Sequence, residues 1–392
     1  MRFAWTDEQQ ALRDELRTYF STLVTPEIAA EAAEGEMGGA KSIEAVRQMA
    51  RDGWLTVGWP KEYGGRGFTP VEQFIFYDEA QRAGAPLPFL TINSVAPAIM
   101  QFGTDEQKAD FLPRISRGEC FFAIGYTEPQ SGTDLASLQT KAVRDGDDWV
   151  INGQKIFTSL TDHAHYIWLA VRTNPDAAKH QSISIVLVPT DAPGFSYTPI
   201  HTVAGATTFA TYYQDVRVPV SNTVGPIDGG WGVIVTQLNY ERVALAPPGW
   251  LERALNDVRG WAQETKLADG RRVIDQEWVQ VHLAKVRAKL EALRLLNWQF
   301  IYGNSVGVID VAQSSATKVF GTTSYVECYQ LLMEVLGAAG TLKRGSEGVL
   351  LQGALERTYR GVLILTFGGG TNEVQRDLIA MFGLKQPRSM RA

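Results

Sequence analysis

Behind Thr6, apolar residues recur at helical spacing through Leu12, Leu16, Tyr19 and Phe20, until Pro26 ends or redirects the pattern. The segment 29–40 is Ala-, Glu- and Gly-rich and weakly patterned. Helical spacing resumes through Ile43, Val46 and Met49 and stops at Gly53. WPKEYGGRGFTP then reads as a tight Gly-rich loop, VEQFIFYDEAQRAG as a helix, and SVAPAIMQFG and TDEQKADFLPRISRG as two more, the last opening on a cap at Thr104.

The period then changes. DDWVINGQKIF, HYIWLAVRT, SISIVLVPT, FSYTPIHTV and TTFATYYQDVRVPV are short runs rich in β-branched and aromatic residues, separated by Gly, Pro, Asp and Asn, as in an antiparallel sheet. After GPIDGGWGVIV the helical period returns over 233–245, 251–265, 277–302, 311–336 and 347–365. The pattern predicts an N-terminal all-α domain over 1–120, a middle β domain over 121–225 and a C-terminal helical bundle over 226–392.

Composition narrows the chemistry. A length of 392 residues with 45% hydrophobic content supports several buried faces, and a net charge of −6 without a basic block gives no footprint for nucleic acid or an anionic membrane. Cys120 and Cys328 stand far apart, so both are expected to be buried thiols. MRFAWTDEQQALRDEL lacks the basic-then-apolar order of a secretory signal, and no apolar run reaches the roughly 18 residues of a membrane span. The expectation is a cytoplasmic protein without membrane insertion.

Familiar phosphate motifs are missing: there is neither GxGxxG after a strand nor GxxxxGK[ST]. His163 and His165 stand in a polar loop and read as solvated histidines rather than metal ligands. Gly368-Gly369-Gly370-Thr371 offers consecutive amides that suit an anion, although a helix C-terminal turn fits equally well.

The ordered blocks YTEPQSGTDLAS, DGDDWVINGQKIFTS, QDVRVPVSNTVGPIDGGW and GGGTNEVQRDLIA closely resemble the acyl-CoA dehydrogenase family over essentially the whole chain. The resemblance implies an α+β fold with a helical N-terminal domain, an antiparallel middle domain and a C-terminal four-helix bundle. It also implies FAD, an acyl-CoA substrate, and electron-transferring flavoprotein as acceptor. Such chemistry needs a base for the α proton, a flavin for the β hydride and hydrogen bonds to the thioester oxygen.

Residue by residue, the resemblance assigns Thr127 and Thr133 to flavin contacts, with Tyr126 and Thr371 in the same cofactor-binding set. Phe157 matches an aromatic at the flavin edge, where Trp is commoner, and Ser159 a hydroxyl near N5. Many members carry a catalytic Glu where this chain has Gly369. A minority place the base on the helix after the β domain, and the matching residue in LNYERVALAPPG is Glu241, with Arg242 as a substrate-side partner.

The family's Arg-x-x-Phe-Gly block, which reaches a neighbouring subunit's FAD diphosphate, is absent from LADGRRVIDQEWVQ. Its Gln-x-x-Gly-Gly-x-Gly block becomes EVLGAAG, beginning with Glu334, whose charge opposes a diphosphate. With NPDAAKH and LTFGGG, these departures resemble one subunit of the actinobacterial α2β2 steroid side-chain acyl-CoA dehydrogenases. The resemblance therefore implies a second dehydrogenase subunit, weak FAD binding by this chain alone, and a bulky acyl group accommodated beside Gly369. Two other readings stay open: a non-catalytic partner subunit, and a flavin monooxygenase or oxidase on the same fold.

Overall fold

A computed structural model describes residues 4–32, 37–242, 246–306 and 310–387, with the side chains of 239–242 and 304 also outside the description. The N-terminal helices are α1 (Asp7–Leu23), α2 (Pro26–Ala32), α3 (Ala40–Arg51), α4 (Pro70–Ala83), α5 (Ala96–Phe102) and α6 (Asp105–Ser116). Three of them start on reciprocal caps, Thr6 with Gln9, Thr69 with Glu72 and Thr104 with Gln107, which satisfy amides that have no intrahelical partner. Gln107 also donates to the carbonyls of Ser221 (2.8 Å) and Thr223 (3.0 Å), so one side chain closes a helix and ties it to the next domain.

The middle domain is a sheet of β1 (Phe122–Gly125), β2 (Lys141–Asp145), β3 (Asp148–Lys155), β4 (Tyr166–Arg172), β5 (Ile183–Pro189), β6 (Phe195–His201), β7 (Thr207–Pro219) and β8 (Thr223–Val224). Its order is β6-β7-β3-β2-β4-β5-β8, with β1 beside β4. Most pairings are antiparallel, as the alternation predicts. The β1–β4 pairing and a single β2–β4 step are parallel. A bulge between Ile151 and Gly153 bends β3 against β7, and a Cβ at Gly153 would lie 2.6 Å from Thr140 Oγ1.

The C-terminal helices are α7 (Gly230–Arg242), α8 (Gly249–Glu264), α9 (Glu277–Ser305), α10 (Val311–Leu336), α11 (Ala354–Val362) and α12 (Asn372–Leu378). The helix expected over 347–365 begins only at Ala354. Gly348 and Gly353 take positive φ, and Gln352 between them is non-helical. α10 is the centre of the bundle, packing on α8, α9, α11 and α12.

One continuous core runs through the N-terminal and middle domains, from Leu16 and Phe20 to Val186 and Val188. A second, from Leu251 to Val362, fills the bundle. α7 belongs to the first, through buried Val233 and Ile234. Cys120 and Cys328 are buried free thiols, each pushed up to about 12 by desolvation. Among the described residues, no helix is long and apolar enough to cross a membrane.

Candidate active site

The chain leaves β1 into Tyr126-Thr127-Glu128, and Glu128 organises the loop over 128–140. Its backbone bridges Ser131, while its carboxylate accepts from the amides of Gln139 (2.6 Å) and Thr140 (2.8 Å) and from Lys155 Nζ (2.8 Å). These bonds close the loop on itself. Gly132 sits against Thr127, since a Cβ there would lie 3.7 Å from Thr127 Cγ2. Thr133 is exposed on the same loop, and the next residue, Asp134, is paired with Lys179 at 2.8 Å.

Thr127 is also joined to the end of β3, its carbonyl accepting from Ile156 N at 2.8 Å. The strand stops at Lys155, short of Phe157. Phe157 takes φ 60°, costly for an aromatic residue, and its side chain is 58% exposed. Neighbouring amides and hydroxyls hold that conformation: Thr158 N donates to Phe209 O (2.9 Å), and the Ser159 and Thr208 hydroxyls lie 3.1 Å apart. A strained, exposed aromatic fixed between bonded neighbours is characteristic of functional loops. Thr127, Phe157 and Ser159 are thus tied together just beyond the end of β3, and Thr133 is exposed on the loop that Glu128 closes.

Tyr126 points the other way. Its hydroxyl accepts from Trp168 Nε1 and donates to Gln237 Oε1, both at 2.9 Å, and all three side chains are buried. Gln237 lies on α7, which also carries Glu241 and Arg242 in its last turn. The side chains of Glu241 and Arg242 lie outside the described residues.

On the bundle, Gly369 and Gly370 take φ 65° and 95°, turning the chain between α11 and α12. Lys318, buried on α10, donates to Gly370 O (2.7 Å) and Asn372 Oδ1 (3.0 Å), fixing this turn from below. Thr371 caps α12, its hydroxyl accepting from Val374 N at 3.2 Å. No hydrogen bond among the described residues joins this turn to the Thr127–Ser159 cluster.

Burial lowers the Lys155 ammonium to about 8. Desolvation alone raises the Glu128 carboxyl, but Lys155 and Thr140 carry it below the ordinary range. Among the described residues no three His, Cys, Asp or Glu side chains gather to hold a metal. His165 is committed to accepting from Phe121 N at 3.2 Å.

Family models for the acyl-CoA dehydrogenase N-terminal, middle and C-terminal domains match residues 6–119, 123–216 and 228–384. The chain belongs to the acyl-CoA dehydrogenase family. It is 58% identical to acyl-CoA dehydrogenase FadE26 of Mycobacterium tuberculosis over 100% of both chains, and 48% identical to FadE29 of the same species over 98% of both. Among solved structures, it matches a chain of the ChsE4-ChsE5 complex from Mycobacterium tuberculosis at 58% identity, TM-score 0.93, covering 99% of this chain and 100% of that one. A chain of the Tcur3481-Tcur3483 steroid acyl-CoA dehydrogenase matches at 49% identity and TM-score 0.94, with coverage of 99% and 100%. The protein is an oxidoreductase of the acyl-CoA dehydrogenase type.

Acyl-CoA dehydrogenases are flavoproteins, and the residues present fit that cofactor. The exposed Phe157 ring lies in one hydrogen-bonded stretch with Thr127, whose carbonyl accepts from Ile156 N, and Ser159, whose amide donates to Phe157 O. Beside the Gly turn, the amide of Gln375 is buried without a partner, its Nε2 2.8 Å from where a Gly370 Cβ would stand. Gln237, Trp168, Lys318 and the Lys155–Glu128 pair were not anticipated from the sequence. The one signal available was a lysine inside the apolar pattern of α10.

Proposed function

We propose that this chain is one subunit of a heteromeric, FAD-dependent acyl-CoA dehydrogenase that forms an α,β double bond in a bulky, steroid side-chain CoA thioester. Full-length similarity to a chain of the ChsE4-ChsE5 complex carries the reading, and the steroid dehydrogenase neighbour agrees with it. When bound, FAD supplies the acceptor for the β hydride.

Thr127, Thr133 and Ser159 offer hydroxyls to the ring system, Phe157 covers its edge, and Tyr126 and Thr371 hold the two loops that flank it. Glu241 removes the α proton, with Arg242 on the substrate side. Gly369 can take no proton and leaves volume for fused rings.

A second subunit supplies the diphosphate contacts. Arg271 is engaged by Asp269 at 2.6 Å and Arg272 by Asp275 at 2.7 Å, while Glu334 adds negative charge beside His282. The chain expressed alone is then expected to retain FAD poorly, and tight stoichiometric FAD on it would count against a heteromer. Electron-transferring flavoprotein is the proposed acceptor.

The deciding experiment is anaerobic bleaching of flavin in the co-expressed complex by straight-chain, branched and steroid acyl-CoAs, with Glu241→Gln in parallel. Bleaching by steroid thioesters that is lost in Glu241→Gln is the expected result. Bleaching by straight chains alone would sink the substrate assignment, and turnover in Glu241→Gln would sink the base.

A further inference from the structure

We infer that Tyr126 and Gln237 are positioning residues that set the placement of the base-bearing helix α7 relative to the loop carrying Thr127. The inference rests on the reading of Glu241 as the base.

Tyr126 is held at both ends. Its carbonyl accepts from Lys155 Nζ at 3.1 Å, the same ammonium that pairs with Glu128. Its hydroxyl lies between Trp168 Nε1 and Gln237 Oε1, each at 2.9 Å. An indole N–H can only donate, so the Tyr126 oxygen accepts from Trp168 and its own proton goes to Gln237. The direction of the chain is thereby fixed from Trp168 through Tyr126 to Gln237, and the amide presents its oxygen to Tyr126.

All three side chains are buried, Trp168 and Gln237 to 0% exposure and Tyr126 to 9%. Buried polar groups that lose a partner cost more than apolar groups filling the same space, so this chain gives directional restraint where an apolar contact would allow sliding. The restrained helix also carries the proposed base. Glu241 stands four positions after Gln237 in the same helix, an axial advance of about 6 Å. A small rotation or translation of α7 breaks the Tyr126–Gln237 bond and moves Glu241 with it. Tyr126 directly precedes Thr127, so the same bond refers the helix to the proposed flavin loop.

A bond with only structural importance would change stability and leave proton transfer alone. Misplacing a reacting group by about 1 Å costs on the order of 100-fold in rate. In the FAD-loaded complex with its partner subunit, Tyr126→Phe is therefore expected to slow substrate-dependent flavin reduction by about 10- to 100-fold. KM should stay within about 3-fold, and the acid limb of the rate–pH profile should move, because the carboxylate's surroundings change.

Gln237→Met removes the acceptor while keeping the tyrosine, and its acid limb should move in the same direction. Should Tyr126→Phe fail to accumulate, Gln237→Met is judged by the same criteria. Glu241→Gln is measured alongside. If it is inactive while Tyr126→Phe and Gln237→Met keep the wild-type rate and acid limb, the positioning role is overturned and the base assignment stands. If Glu241→Gln turns over normally, the base assignment falls and the positioning role falls with it.

Discussion

Lys155 Nζ lies 2.8 Å from Glu128 Oε1, with the two side chains only 0% and 1% exposed, so the end of β3 is pinned to the loop after β1 by a fully buried ion pair. Such a pair contributes little net stability against apolar replacements, but removing one partner strands the other charge. The geometry it fixes is that of Thr127 and Phe157.

Lys155→Met should therefore destabilise the protein by about 3 kcal/mol, because Glu128 keeps the backbone amides of Gln139 and Thr140 and the side-chain amide of Gln130 but no countercharge. Denaturant unfolding of wild type and variant measures this. A loss below about 1 kcal/mol would show that those amides suffice.

The N-terminal and C-terminal helices meet in a second ionic cluster, with opposite consequences for two carboxylates. Burial opposes the charge on Glu252, but Arg82 and Arg294 prevail and hold it at about 2. Its folded pKa lies below the unfolded value of 4.5, so this stability is present above pH 4.5 and is lost as pH falls towards 2. Asp78 is raised to about 6, chiefly by burial, and its Oδ1 lacks a partner. It contributes stability below pH 3.8 that is lost as pH rises through 6. Glu252→Gln should cost on the order of 2 kcal/mol at pH 7 and flatten the acid dependence, whereas Asp78→Asn should gain on the order of 1 kcal/mol at pH 7 and nothing at pH 3. Equal effects at both pH values would contradict these assignments.

Phe157 has little buried area to lose and a positive φ to relieve. Phe157→Gly is expected to raise stability by about 1 kcal/mol while weakening flavin retention by the complex. Calorimetry and flavin absorbance after gel filtration test the two halves separately. A less stable variant with undiminished flavin would refute the trade.

Lys318 supports the Gly turn through Gly370 O and Asn372 Oδ1. Lys318→Met takes the ammonium from Gly370 O and leaves Asn372 Oδ1 with the Thr322 hydroxyl alone, and should cost about 2 kcal/mol, with turnover falling more than stability alone explains at temperatures well below melting. Unchanged activity in a folded Lys318→Met complex would remove the turn from the catalytic account.

The longer helices and five of the strands were legible because hydrophobic period and caps are local signals: Thr6 and Thr104 each stand where a helix begins. The elements α2, α12, β1, β2 and β8 are too short to show a period. The blocks around Thr127 and Phe157 were legible by resemblance. The helix expected over 347–365 was not, because Gln352 takes a non-helical conformation that nothing in its identity demands. Tyr126 and Gln237 are 111 residues apart, and Lys155 and Glu128 are 27 apart. Pairings of that kind arise from tertiary placement and leave no periodic trace. The strain at Phe157 is equally silent in sequence.

The two hydrophobic cores bear on how the protein comes apart. α7 belongs to the first, and the helix carrying Lys318 to the second, while Arg82, Glu252 and Arg294 and the apolar cluster of Phe74, Phe300 and Ile301 bridge the two. A ligand touching both would add a further bridge and raise the melting temperature with its concentration. The melting temperature would then report occupancy of the site before any substrate is added.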